Sequence, residues 1–156
     1  MQMHMSAMSG MLDVDGSLMT RTRSKGNRRL RNKRFEDGLA VRRQVLGAAY
    51  VDRTIAEADD FTRPLQELIT EYCYGSVWAR PGLSRRLRSL VNLAMLTALN
   101  RPHEIRFHLR GALRNGCTKE EIMEVLLQTA IYCGIPAAVD SFRIAREVFS
   151  AEHDKS

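Results

Sequence analysis

The sequence predicts an all-α fold, a compact bundle of about six helices. Three observations carry that expectation. From residue 35 onward apolar residues recur at helical spacing. Capping residues, first-turn prolines and closing glycines punctuate the pattern at helix-length intervals. No segment alternates apolar and polar residues across a hairpin turn, and there is no internal repeat.

The elements follow in order. "FEDGLAVRRQVLG" puts Leu39, Val41, Val45 and Leu46 roughly in phase, and Gly47 closes it. "DDFTRPLQELITEYCYGSVWA" opens a second helix, with Asp60 or Thr62 as cap and Pro64 in the first turn. A turn at Pro81-Gly82 precedes Ser84, the cap of a helix running to about Leu99. The next starts at Pro102 and stops at Asn115-Gly116. Thr118 and Glu121 form a capping-box pair at the head of "CTKEEIMEVLLQTAIYCG". Pro136 then interrupts the chain before a last helix through Phe149. The helices of residues 85–99 and 120–133 are apolar almost all round, which suits the centre of a bundle or a subunit contact.

A chain of 156 residues with 44% hydrophobic and 27% charged content is one ordinary globular domain by length and composition. The net charge of +6 is unevenly placed. Residues 1–34 hold eight basic and two acidic residues, whereas residues 35–156 hold sixteen of each and cancel. We therefore expect a disordered basic leader over 1–34 and a neutral domain over 35–156. Six of the eight methionines fall in the first 20 residues, which also fits a translation start further downstream. The basic run has no aromatic residue for base stacking, which argues against a nucleic-acid partner. No apolar segment is long enough to span a bilayer, and no export signal follows Arg28-Arg29. Cys73, Cys117 and Cys133 form neither a CxxC pair nor an even framework, as expected of a reduced cytoplasmic protein.

The chemistry gathers on "ALNRPHEIRFHLRGALRNG". On a helix from Pro102, residues Ile105, Leu109, Ala112 and Leu113 make the buried stripe, and Arg106, Arg110 and Arg114 a solvated line. Glu104, His108 and Gly111 share the opposite border, with Arg101 nearby at the helix start. Glycine there permits close approach of a backbone or a ligand. A Glu–His pair one turn apart is by itself more often structural than catalytic. Polar residues inside the apolar helices shift that balance, because Arg88, Asn92, Gln128, Thr129 and Tyr132 need partners if buried. Trp78 and Arg80 sit just before the Pro81 turn and fit either turn packing or a site.

The segments "QELITEY", "RPGL", "RRLRSL" and "LLQTAIYCGIPAA", with "VRRQVLGAAYVDRTI" upstream, together resemble the 4-carboxymuconolactone decarboxylase family. The resemblance covers about residues 35–150. It implies the all-α, alkyl hydroperoxidase D-like fold and assembly as a homo-oligomer, commonly a hexamer. It also implies cofactor-independent loss of CO₂ from 4-carboxymuconolactone, giving 3-oxoadipate enol-lactone in protocatechuate degradation, the β-ketoadipate pathway. The thiol peroxidases of the wider superfamily carry CxxC and a histidine on this helix. Here those slots read Arg101, Glu104 and His108, so thiol-dependent peroxidase activity is the lesser alternative. A homologue acting on a related lactone or β-keto acid is the nearer one.

The implied reaction uses neither cofactor nor metal, because the lactone carbonyl itself accepts the electrons released on C–C cleavage. His108 is then the expected proton donor or oxyanion partner, with Glu104 orienting it or sharing its proton. Arg101, Arg88 and Arg80 are candidates for binding the substrate's carboxylate arm. Trp78 is a candidate apolar wall and Tyr132 a hydroxyl donor.

Overall fold

The computed structural model describes residues 25–153, with side chains from 33 to 152. Among these residues there are seven α-helices: α1 (Lys25–Leu46), α2 (Ala48–Ala56), α3 (Arg63–Leu68), α4 (Arg85–Ala98), α5 (Pro102–Arg114), α6 (Lys119–Cys133) and α7 (Ile135–His153). Helix α3 continues without a break into a π-helix, Ile69–Trp78. The all-α expectation holds. No helix among the described residues is long and apolar enough to cross a membrane.

Most boundaries lie where their chemistry placed them. Ser84 accepts from the Leu87 N–H at 3.2 Å and starts α4. Pro102 occupies the first turn of α5, where its missing N–H leaves no gap. Thr118 and Glu121 exchange both bonds of the capping box at 3.0 and 3.1 Å. Thr62 differs: its hydroxyl and N–H both turn to Asp59 Oδ1 at 2.6 and 2.8 Å, so it makes no side-chain cap for α3.

Two boundaries differ from expectation. Gly47, at φ 95°, ends α1 but only redirects the chain, and α2 starts at once. The break before α7 is Gly134, at φ 106°, a conformation strained for a side chain. Pro136 lies inside the first turn of α7 instead. The boundary expected between residues 34 and 35 lies within the span of α1. Of the leader expected over residues 1–34, residues 25–34 fall in α1, and residues 1–24 lie outside the described residues.

Two cores follow from this order. Leu93, Ile105, Leu109, Ala112, Ile122, Leu126, Ile144 and Val148 join α4 to α7 in one cluster. Val41, Val45, Tyr74 and Trp78 join α1 to the π-helix in a second. That second contact is backbone against backbone. A methyl on Gly38 would collide with the Thr70 carbonyl, and one on Gly75 with the Arg34 carbonyl. Arg42, only 3% exposed, bridges the same pair of helices. It donates to Thr70 Oγ1 at 2.9 Å and Gln66 Oε1 at 2.7 Å. Its guanidinium also lies 5.9 Å from the Tyr74 ring centre.

The two cores meet along α5. The Val45 carbonyl of α1 faces Gly111, where an added Cβ would stand at 3.1 Å. Arg114 donates to the same carbonyl at 3.5 Å, and Tyr50 of α2 packs on Phe107 with ring centres 5.0 Å apart. The approach permitted by Gly111 is therefore made by a backbone.

Candidate active site

Helices α4 and α5 are joined by residues 99–101, with Asn100 in the left-handed region at φ 51°. Asparagine is among the few side chains that tolerate this conformation. So short a link folds α5 back along α4 and faces residues equidistant from the turn. Asn92, six residues before the end of α4, and His108, six after the start of α5, are such a pair. Asn92 Nδ2 stands 3.5 Å from His108 Nδ1, and both residues are half-buried. This is the partner that the polar residue inside an apolar helix required.

Burial holds His108 below the ordinary histidine value, and the negative charge of Glu104 opposes that shift. Burial prevails, because removing solvent penalises the imidazolium more than one exposed carboxylate repays. The imidazole is therefore neutral at pH 7. A neutral imidazole donates one hydrogen bond but is not itself an acid of useful strength.

Arg88 lies one turn from Asn92 on α4 and donates from Nη2 to the Arg80 carbonyl at 3.2 Å. This bond ties the Pro81 turn to α4. The Arg88 Nε–H is buried with no acceptor. Arg101 stands exposed at the head of α5, on the same border as His108 and about 10 Å along the axis from it. None of Arg80, Arg88 and Arg101 pairs with a carboxylate among the described residues. By contrast, Arg106 on the outer face of α5 is engaged by Glu147 at 2.5 Å.

Two expected site residues are placed differently. Trp78 belongs to the second core, stacked on Tyr74 at 5.9 Å and 5% exposed, so it offers a ligand little surface. Tyr132 is 81% exposed and lines a groove of about 430 Å³ between α4 and α6. The α4 residues of that groove are Leu90, Val91, Ala94, Met95 and Ala98. Neither Asn92 nor His108 is among the residues lining that groove. Another groove, about 530 Å³ between α6 and α7, holds none of the expected residues.

Sequence reasoning flagged Asn92 as a polar residue needing a partner, but not as part of the site. It missed Arg42 altogether, although Arg42 falls between Gly38 and Leu46 on the inward side of α1. The cysteines remain unpaired, and burial raises the thiols of Cys73 and Cys117, which disfavours the reactive thiolate.

A sequence model of the carboxymuconolactone decarboxylase family matches residues 63–147. Over 129 residues the chain is 41% identical to a nitrosuccinic acid decarboxylase from Metarhizium robertsii, covering 83% of this chain and 90% of that protein. It is 44% identical over 117 residues to a 4-carboxymuconolactone decarboxylase from Acinetobacter baylyi, covering 75% of this chain and 87% of that one. A shorter match to a 4-carboxymuconolactone decarboxylase from Pseudomonas putida is 44% identical over 43 residues, 28% of this chain and 90% of that one.

Proposed function

The chain belongs to the carboxymuconolactone decarboxylase family, and from that premise we propose that it decarboxylates 4-carboxymuconolactone at the α4–α5 site. The observation that carries this reading is the half-buried, neutral His108 bonded to Asn92, with Arg88 one turn from Asn92 on α4 and without an acid partner among the described residues.

The chemistry asks little of the protein. The bond between the ring carbon and its carboxylate breaks, and CO₂ leaves. The electron pair passes through the ring double bond into the lactone carbonyl, forming a dienolate. A proton drawn from solvent then adds to the carbon next to that carbonyl and gives the enol-lactone. The barrier falls if the developing oxyanion meets a hydrogen-bond donor already in place. His108, neutral and partly desolvated, takes that role; a neutral imidazole kept so by its surroundings can polarise a carbonyl in this way. Of the two roles expected from the sequence, oxyanion partner is thus favoured over proton donor. Glu104 tempers the depression of the His108 pKa.

The arginines hold the acetate arm. A guanidinium on the departing carboxylate would stabilise the reactant and slow the reaction, so the pairing must be with the carboxylate that stays. Arg88, half-buried with an unused Nε–H, is the foremost candidate, with Arg101 and Arg80 at the exposed edges.

One comparison favours a second substrate. The nitrosuccinic acid decarboxylase match spans more of this chain than the Acinetobacter match. In nitrosuccinate the departing carboxylate sits on the carbon bearing a nitro group, an equally direct electron sink, and a second carboxylate remains. The same donor and the same arginines would serve both acids.

We also place the enzyme in the cytoplasm as a homo-oligomer. Leu87, Val91 and Met95 on α4, with Leu127 and Ile131 on α6, form exposed apolar stripes, and Ile131 is 78% exposed. Contiguous apolar surface of this kind marks an interface.

The test is CO₂ release from freshly generated 4-carboxymuconolactone and from nitrosuccinate, with product identification and with or without chelator. Rapid, chelator-insensitive formation of the enol-lactone is expected. Turnover of nitrosuccinate alone would move the substrate to the second reading. Turnover of neither by folded protein would overturn both.

A further inference from the structure

We propose that Asn92 is a positioning residue for His108: its side-chain amide donates to Nδ1 and so holds the imidazole as the tautomer that carries its hydrogen on Nε2. This rests on the reading of His108 as the oxyanion partner and specifies which of its nitrogens faces the substrate.

Asn92 occupies a helix that is otherwise apolar over this stretch. A half-buried amide there loses part of its hydration unless it is bonded, and its partner in the structure is the imidazole, 3.5 Å from Nδ2 to Nδ1. The turn at residues 99–101 fixes the facing of the two helices, so this pairing is a consequence of the hairpin and not of a mobile side chain. An N–H that donates to Nδ1 requires a lone pair there, and a neutral ring then bears its single hydrogen on Nε2. The hydrogen is thus directed away from α4. Without such a partner the ring can rotate or exchange tautomers, and the donor loses its fixed aim.

The groups around the imidazole agree with this assignment. Glu104, on the same helix, is the charge identified as acting on it, and it acts against the depression of its pKa. From α4 the neighbouring charge is Arg88, one turn from Asn92 and bonded to the Arg80 carbonyl. Near Gly111, one turn further along α5, α1 contributes a backbone carbonyl. A carboxylate at position 92 would reverse the arrangement. It can only accept, so it would draw a hydrogen onto Nδ1 and favour the imidazolium.

The experiment is nitrogen-15 NMR of the histidine rings in the full-length protein, with Asn92→Asp and Asn92→Leu beside the wild type. His108→Gln identifies the signal, and circular dichroism and light scattering verify that each variant keeps its fold and assembly. The wild type is expected to show the Nε2–H tautomer with Nδ1 bare. Asn92→Asp is expected to protonate Nδ1 and to move the acid limb of the kcat profile to higher pH. Its kcat should fall about 10- to 100-fold, by analogy with the loss found where an outer partner orients a metal-binding histidine, with KM changed far less. Asn92→Leu should lower kcat without that pH shift. A wild-type ring protonated at Nδ1, or an Asn92→Asp ring and pH profile unchanged from wild type, would overturn the inference. The tautomer is read without substrate, so a failure here is separable from a failure of the assigned reaction.

Discussion

At the scale of single residues, His108 links structure to pH. Its folded-state value lies below the ordinary histidine value, chiefly through burial. The unfolded chain therefore takes up a proton near pH 6.5 that the folded chain still refuses. The stability that follows is complete above that pH and is lost as the pH falls through it toward the folded value. Denaturant midpoints at pH 7.5 and 5.5 are expected to separate more for the wild type than for His108→Gln. Equal separations would show that the ring is not buried as the structure places it. The pair Glu104 and His108 was legible in the sequence because i, i+4 spacing fixes a shared border whatever the tertiary fold. Their relation to Asn92 was not, since it depends on how two helices face each other across a turn.

At the scale of elements, local signals located most of the helices. Ser84, Pro102, the Thr118–Glu121 box and Gly47 act within one turn of chain, so their meaning survives without tertiary context. Two features needed the third dimension. The π-helix over residues 69–78 is closed by the Ala79 N–H donating to the Tyr74 carbonyl five residues back at 2.9 Å, and it packs on α1. The glycines at that contact, Gly38 and Gly75, read in sequence as ordinary helix weaknesses. Their function is to let two backbones touch. Gly38→Ala and Gly75→Ala are each expected to cost roughly 1–3 kcal/mol or more through overpacking against carbonyl groups that cannot retreat. Gly82→Ala, with open space around it, should stay within about 0.5 kcal/mol of wild type. Urea unfolding of the three variants makes the comparison. Equal stability for all three would remove the close α1–π contact.

At the scale of the whole molecule, the apolar character of the helices over residues 85–99 and 120–133 has two sources. One side of each builds the shared core, with Leu93, Ile122 and Leu126 fully enclosed. The other remains open, from Leu87 through Val91 to Met95 and from Leu127 to Ile131. Periodicity recorded only that both sides were apolar, and could not say which was core. In the homo-oligomer proposed above the open sides are covered. Val91→Asp combined with Ile131→Asp is expected to reduce the mass seen by light scattering, while helical content is retained. An unchanged mass would place the contact elsewhere. The groove holding Tyr132 adjoins this open surface, sharing Val91 and Met95 with it, and His108 is not among its lining residues.

The central claim is that a half-buried neutral imidazole on α5 stabilises the charge released when a carboxylate leaves. The most direct measurement is the rate of CO₂ release from 4-carboxymuconolactone under saturating substrate, for wild type and for His108→Ala at matched fold and assembly. Loss of a preorganised oxyanion donor is expected to lower kcat about 10²–10³-fold. Near-wild-type kcat in a folded His108→Ala variant would contradict the account and remove His108 from the reaction.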